Sequence, residues 1–228
     1  MDFTAILERI LEKSVPYNDF CYMFPPRPKN RISRSELLKH DQNGLHFAQP
    51  KLNGDCCLIF SNGTKHKNFG RHRNENLSHF SFSDADIDPL FKFETEGKWN
   101  LIVGEFMNTS KKYKDGKPWN NKFVIFDILV YHGKYLLGST FEDRSLLLDE
   151  LFGKIDYDEF LYQYTEKIFR VKSFYGDFQK IWDALVRIDM FEGLVLKRKA
   201  AKLERGMSEM NNVSAHLKCR KVTKNYTE

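Results

Sequence analysis

Lys51 stands three residues ahead of Gly54 in the run Gln49-Pro50-Lys51-Leu52-Asn53-Gly54, where an extended segment meets a turn. A lysine amine there has two uses: a solvated surface charge, or a nucleophile. For the second it must lose its proton, and a free lysine, with a pKa near ~10.4, is almost wholly protonated at neutral pH. Neighbouring cations disfavour the ammonium form and help to release the lone pair. Lys218-Cys219-Arg220 supplies such cations, because a strand puts its alternate residues Lys218 and Arg220 on one face. Carboxylates punctuate other apolar runs: Glu105 after Gly104, Asp127 after Phe126, and Glu192 opening Glu192-Gly193-Leu194-Val195-Leu196-Lys197. Taken singly, each of these matches an ordinary strand end. Their order along one chain is what points to a nucleophilic lysine among cations and carboxylates.

The elements that must hold these residues are mostly strands. Residues 46–52 and 55–60 read as two strands around the tight-turn dipeptide Asn53-Gly54. Residues 99–107 and 122–132 are apolar runs of buried-strand type, and 134–138 continues from the second through His132-Gly133. Residues 166–174, 192–198 and 214–222 complete the strands. Helical spacing marks 3–13, 141–152 with Gly153 as its stop, and 177–190. The prolines of 24–31 require a loop or an extended segment, and 61–84 is polar and loop-rich. Strands outnumber helices and connect locally, so the fold class is α+β with two mainly antiparallel sheets flanked by helices. Residues 1–45 are read as an N-terminal helix and proline-rich lead-in packed on a domain of 46–228.

Composition narrows the function classes. With 228 residues, 41% hydrophobic and including 20 Phe and 10 Tyr, the chain is long enough to bury a core. A net charge of +5 and a pI near 8.9 suit a polyanionic partner without requiring one. Cys21, Cys56, Cys57 and Cys219 form no C-x-x-C pair, which argues for a reduced, intracellular (cytoplasmic) protein rather than a disulfide framework. No histidine spacing suits zinc. The N-terminal amphipathic segment is not a signal peptide, and no apolar run reaches the length of a membrane span. In the basic stretch 108–121, Lys111, Lys112, Lys114 and Lys117 are interleaved with Tyr113 and Trp119; it is either a mobile solvated loop or a track for a phosphate backbone whose aromatics stack a base.

K-x-x-G, then G-E, F-D, E-G-L-V-L-K and K-x-R, in that order over residues 46–222, resembles the collinear motifs of the covalent nucleotidyltransferases: ATP-dependent DNA ligases, RNA ligases and mRNA capping enzymes. Gln49–Gly54, Phe123–Val130, Gly133–Leu151 and Glu192–Arg198 look most like ligases, and His216–Lys221 like nick-sealing RNA ligases. The resemblance implies a ligase-type, ATP-grasp-like adenylyltransferase domain. Its reaction starts with attack of a lysine on the α-phosphorus of ATP, giving lysyl-AMP and pyrophosphate. AMP then passes to a 5′-phosphate end, and a 3′-hydroxyl displaces it. By resemblance Lys51 is the nucleophile, with Leu52 beside it in the nucleotide site. Gln49 reads the adenine edge through its carbonyl, and Gly54 permits close backbone approach. Glu105 accepts from the ribose and Phe126 stacks on adenine, although Phe126 also suits the core and Phe123 is the other candidate stacker. Glu192 holds the metal, Mg²⁺ or Mn²⁺, and Lys218 and Arg220 contact the α-phosphate.

The pattern has departures. Asn53 replaces the usual aspartate, Cys56 stands where an arginine normally follows the glycine, and Arg220 replaces a lysine. Another cation must do the work of the missing arginine; Arg71 is the leading candidate, with Arg73 as the alternative. The motifs end close to residue 228, so the expectation is an adenylyltransferase domain without an OB-fold domain, a monomer, acting on nicked or broken nucleic acid, with an accessory protein supplying the clamp. Guanylyl transfer of the capping type, or a catalytically impaired nucleic-acid-binding module, are the alternatives.

Overall fold

The computed structural model describes residues 3–93, 97–108, 111–204 and 212–222. In chain order the elements are α1 (Phe3–Leu11), β1 (Val15–Pro16), β2 (Arg27–Arg31), α2 (Leu37–Gln42), β3 (His46–Leu52), β4 (Asp55–Ser61), β5 (His66–Gly70), α3 (Asp84–Ile87) and a 3-10 turn over Asp88–Phe91. Then come β6 (Asn100–Met107), β7 (Lys122–Tyr131), β8 (Lys134–Tyr135), α4 (Phe141–Phe152), β9 (Leu161–Gln163), β10 (Ile168–Val171), α5 (Phe178–Leu185), β11 (Phe191–Arg198) and β12 (Asn212–Arg220). The class is α+β, as the strand pattern implied.

The strands form two sheets. The larger has eight strands and runs β1-β8-β7-β6-β4-β5, with β10 alongside β7 and β9 beside β10. The smaller has four, in the order β2-β12-β11-β3. Pairing is antiparallel except for β10 with β7 and β2 with β12. There are two apolar cores: Leu58, Phe60, Ile102 and Phe123 of the larger sheet are among the buried residues of the first, and the second joins the sheets, packing Phe169 and Val171 of β10 with Phe191 and Leu194 of β11 and Phe178 of α5.

One expectation is overturned in its geometry. The two strands flanking Asn53-Gly54 are present, but they do not form a hairpin: β3 pairs with β11, while β4 pairs with β5 and β6. The turn is a crossing from one sheet to the other. Neither Asn53 nor Gly54 has the positive φ that a two-residue hairpin turn of the primed type needs. Glycine is required for space instead: a Cβ on Gly54 would lie 2.6 Å from the Phe106 carbonyl oxygen. By contrast, β7 and β8 do form a tight hairpin, with φ of 47° at His132 and 67° at Gly133.

α4 is set by its cap. Thr140 Oγ1 accepts from the Asp143 backbone N–H (3.1 Å), and the Asp143 carboxylate accepts from the Thr140 N–H (3.2 Å). Gly153, with φ 66°, ends the helix. α1 lies against α4, where Arg9 pairs with Asp143. The expected loop over 61–84 contains the strand β5, and the expected helix over 177–190 is helical only over Phe178–Leu185. Among the described residues no helix is long and apolar enough to cross a membrane.

Candidate nucleotide site between the two sheets

Directly opposed residues of neighbouring strands point to the same face. In the smaller sheet this registers three rows across β12, β11 and β3: Arg220–Gly193–Lys51, Lys218–Val195–Gln49, and His216–Lys197–Phe47. Gly193 keeps the first row open. With φ 147°, any Cβ there would run into the Cys219 carbonyl. The register shifts between Phe191 and Gly193, so Glu192 falls outside the regular ladder. A bulge re-aims a side chain, and here Glu192 Oε2 lies 2.6 Å from Lys51 Nζ and 2.8 Å from an Arg220 guanidinium nitrogen. Asn53, in the amide orientation that satisfies both of its ends, donates to Glu192 Oε1 (3.1 Å) and accepts from Lys111 Nζ (3.1 Å). The residue at the departed aspartate position thus ties the turn to the acid.

The larger sheet faces this row with a second set. Cys56 pairs with Glu105 across β4 and β6. Glu105 is 9% exposed and accepts from the Gly54 N–H at 3.1 Å. Burial pushes its carboxyl up, against the pull of Lys51 and Arg71. Arg71, just past β5, interacts with Cys56, Glu105 and Glu192. Burial raises the Cys56 thiol to about 11, so it meets Arg71 as a neutral thiol. Tyr22 holds the backbone here, its hydroxyl reaching the carbonyls of Gly70 (3.0 Å) and Arg71 (2.8 Å). Arg71 therefore occupies the space beside Cys56, whereas Arg73 is exposed with φ 64°.

Phe126 sits at a register shift of β7: Val103 pairs with Asp127 and Gly104 with Ile125, leaving Phe126 unopposed. It is partly buried and lines the groove, whereas Phe123 is fully buried in the core. Next to it, Asp127 makes a two-pronged pair with Arg144 of α4 (2.8 and 3.1 Å). Burial alone would raise the Asp127 carboxyl; Arg144 and Lys197 outweigh it and hold it below the usual range. Lys197 Nζ donates to the Phe126 carbonyl (3.0 Å), and burial brings this amine down to about 8.

The groove between the sheets is narrow, with a cavity volume of about 70 Å³, and opens to solvent. Gln49, Lys51, Leu52, Arg71, Glu105 and Phe126 line it together. Gly54 stands at its turn, and Glu192 and Arg220 at its Lys51 end. Lys218 shares this field: burial and then Arg220, Arg27, Lys51 and Arg71 lower its amine. All ten residues singled out by pattern are thus gathered in one region. Pattern reading missed three contributors. Pro25, Pro26 and Pro28 form a wall; their composition signalled only an extended segment. Lys197 was noted only as the base ending a motif. His216 was overlooked, although it shares the alternate-residue face of Lys218 and Arg220.

The basic stretch 108–121 does not present its aromatics to a ligand. Trp119 is 7% exposed and packs on Phe169, with ring centroids 4.8 Å apart, and Tyr113 packs on Trp119. Lys114 pairs with Asp158 (3.2 Å) and Glu159. Base stacking by Trp119 is therefore replaced by core packing.

No family model and no curated protein matches the chain. Solved structures do. A mycobacterial DNA ligase D complexed with ATP and MES aligns with TM-score 0.61 at 16% identity, over 88% of this chain and 62% of that one. The ligase domain from M. tuberculosis LigD gives 0.58 at 15%, over 87% and 60%. An archaeal ATP-dependent RNA ligase gives 0.50 at 17%, over 87% and 48%. The chain thus spans about three fifths or less of these structures. Its fold is that of the nucleotidyltransferase domain of ATP-dependent DNA and RNA ligases.

Proposed function

We propose that the protein is an ATP-dependent polynucleotide ligase that charges Lys51 with AMP and seals 5′-phosphate and 3′-hydroxyl ends. The observation that carries this reading is the Lys51–Glu192–Arg220 ion-pair network at the end of the groove lined by Gln49, Arg71, Glu105 and Phe126. In the first step Lys51 Nζ attacks the α-phosphorus; the N–P bond forms as the P–O bond to pyrophosphate breaks. Lys218, Arg220 and Arg71 neutralise the phosphates and stabilise the charge that builds on the phosphoryl oxygens. Phe126 and Val195 offer apolar faces to the base, and Glu105 an acceptor to the ribose. AMP then passes to the 5′-phosphate end of a nicked or broken strand, and the 3′-hydroxyl displaces it.

The acids suit a divalent cation that arrives with the nucleotide. Mg²⁺ is usually held by one or two carboxylates and the substrate phosphates, and Glu192, with Glu105 close enough to interact with it, meets that need. No protein-only cage of three or more ligands exists among the described residues. When bound, such a cation supplies charge neutralisation at the phosphates.

Gln49 favours adenine over guanine. Its Nε2 donates to Ser173 Oγ (3.0 Å), which leaves Oε1 as the groove-facing acceptor. A 6-amino group donates to it; a 6-oxo group opposes it with a second acceptor. The test is label transfer from α-labelled ATP or GTP with Mg²⁺ or Mn²⁺, read on a denaturing gel. Label from ATP that is abolished by Lys51→Ala is the expected result. Label from GTP alone supports guanylyl transfer, and no label from either contradicts the enzymatic reading.

A further inference from the structure

His216 is 2% exposed and lines the groove, yet neither ring nitrogen has a hydrogen-bond partner among the described residues. The same holds for Gln49 Oε1. Buried polar atoms are nearly always paired, and each orphan costs stability. Three orphan atoms on one groove mark positions that a ligand completes. His216 is held in place by Phe141, whose ring centroid is 4.0 Å away, and by its register opposite Lys197. Burial, reinforced by Lys197, Arg144 and His46, keeps the imidazole neutral, so one nitrogen donates and the other accepts.

An acceptor and a donor on one wall complement one kind of base edge: an exocyclic amine beside a ring nitrogen. A 6-aminopurine carries that pair, with N6 flanked by N1 on one edge and N7 on the other. A 6-oxopurine reverses the sign at position 6. We propose that His216 reads the base: its ring N–H donates to a ring nitrogen of the adenine whose 6-amino group donates to Gln49 Oε1. This rests on the nucleotide reading of the groove given above. It adds a specificity-determining residue from β12, a strand whose other groove-facing residues, Lys218 and Arg220, serve the phosphates.

The experiment is calorimetric binding of ATP, 1-deaza-ATP and 7-deaza-ATP to the Lys51→Ala chain, in which no covalent adduct forms. One of the two deaza analogues is expected to bind about tenfold or more weaker than ATP, since it leaves the His216 N–H facing a C–H group. Adding His216→Phe should weaken ATP to the level of that analogue and erase the difference; His216→Leu serves as a second variant if the first fails to fold. Two results overturn the proposal while leaving the nucleotide site standing: both deaza analogues binding as well as ATP, or a discrimination that persists unchanged without His216. Failure of ATP itself to bind would overturn the nucleotide reading, and this inference with it.

Discussion

Glu192 Oε2 lies 2.6 Å from Lys51 Nζ, and the two reach each other from adjacent strands because β11 bulges just before Gly193. An ammonium held in an ion pair has no lone pair to offer. Nucleophilic attack by Lys51 therefore requires Glu192 to give up this contact, and phosphates with a cation offer the carboxylate another partner. Glu192→Gln keeps the shape and the hydrogen-bonding capacity toward Asn53 while removing the charge. We expect it to slow lysyl-AMP formation on the order of 100-fold, because the carboxylate that would hold the cation at the phosphates is lost, and to lower the melting temperature, because Lys51 and Arg220 lose their shared partner. Wild-type rates of adenylation in this variant would show that the pair is only structural.

Arg71 carries the charge missing at position 56. It interacts with Cys56, Glu105 and Glu192. Loss of a charge-assisted hydrogen bond to phosphate costs roughly 1.5–3 kcal/mol, or about 10- to 100-fold in rate. Arg71→Ala should show that loss in single-turnover adenylation. Exchanging the two side chains, Cys56→Arg with Arg71→Cys, should recover part of it, because the charge returns to the same space from β4. A double variant no better than Arg71→Ala would mean that the path from β5, not the charge, is what matters.

The Asp127–Arg144 pair is a stability element placed behind Phe126. Arg144 is fully buried and Asp127 4% exposed. Removing one partner of such a pair leaves an uncompensated buried charge and costs roughly 3–5 kcal/mol. Arg144→Met should lose about that much in chemical denaturation, and Asp127→Asn added to it should restore a part. Because the Asp127 carboxyl is held below its ordinary range, its contribution is present above the unfolded value and is lost only as pH falls through the lower folded one. A neutral effect of Arg144→Met would contradict this account.

Lys197 gives a signature at the other end of the pH scale. Its amine titrates at about 8 in the fold against 10.5 in the unfolded chain. Between these values the folded chain binds fewer protons, so this group's contribution to stability grows as pH rises from about 8 to 10.5. That contribution is lost as pH falls through the folded value. The difference in unfolding free energy between wild type and Lys197→Met, followed over that window, should rise in favour of wild type. A flat difference would place the amine in solvent-like surroundings.

How much of this was legible in the sequence depends on the range of the interaction involved. The runs around Glu105, Phe126 and Glu192 announced β6, β7 and β11 because long apolar stretches need no partner to be recognised, and Gly153 marked the end of α4. The turn at Asn53-Gly54 misled, since local turn chemistry does not say which strand each arm pairs with. In fact each arm joins a different sheet, which is what brings Lys51 to the groove. β5 was lost in a polar stretch because His66–Gly70 lacks alternation, yet it delivers Arg71. Trp119 looked like a base-stacking residue among lysines and is a core residue, buried by β10, whose parallel pairing with β7 is a long-range event. His216 needed only the two-residue period already applied to Lys218 and Arg220.

Everything proposed for the groove depends on Lys51 Nζ becoming covalently joined to AMP. Intact-mass spectrometry of the chain after incubation with ATP and Mg²⁺, followed by peptide mapping, reads this directly. The expected result is a mass increase of one adenylyl group, localised to the peptide containing Lys51, stable to base and released by acid or pyrophosphate, and absent from Lys51→Ala. No adduct with either Mg²⁺ or Mn²⁺, or an adduct mapped to another residue and retained in Lys51→Ala, would contradict it.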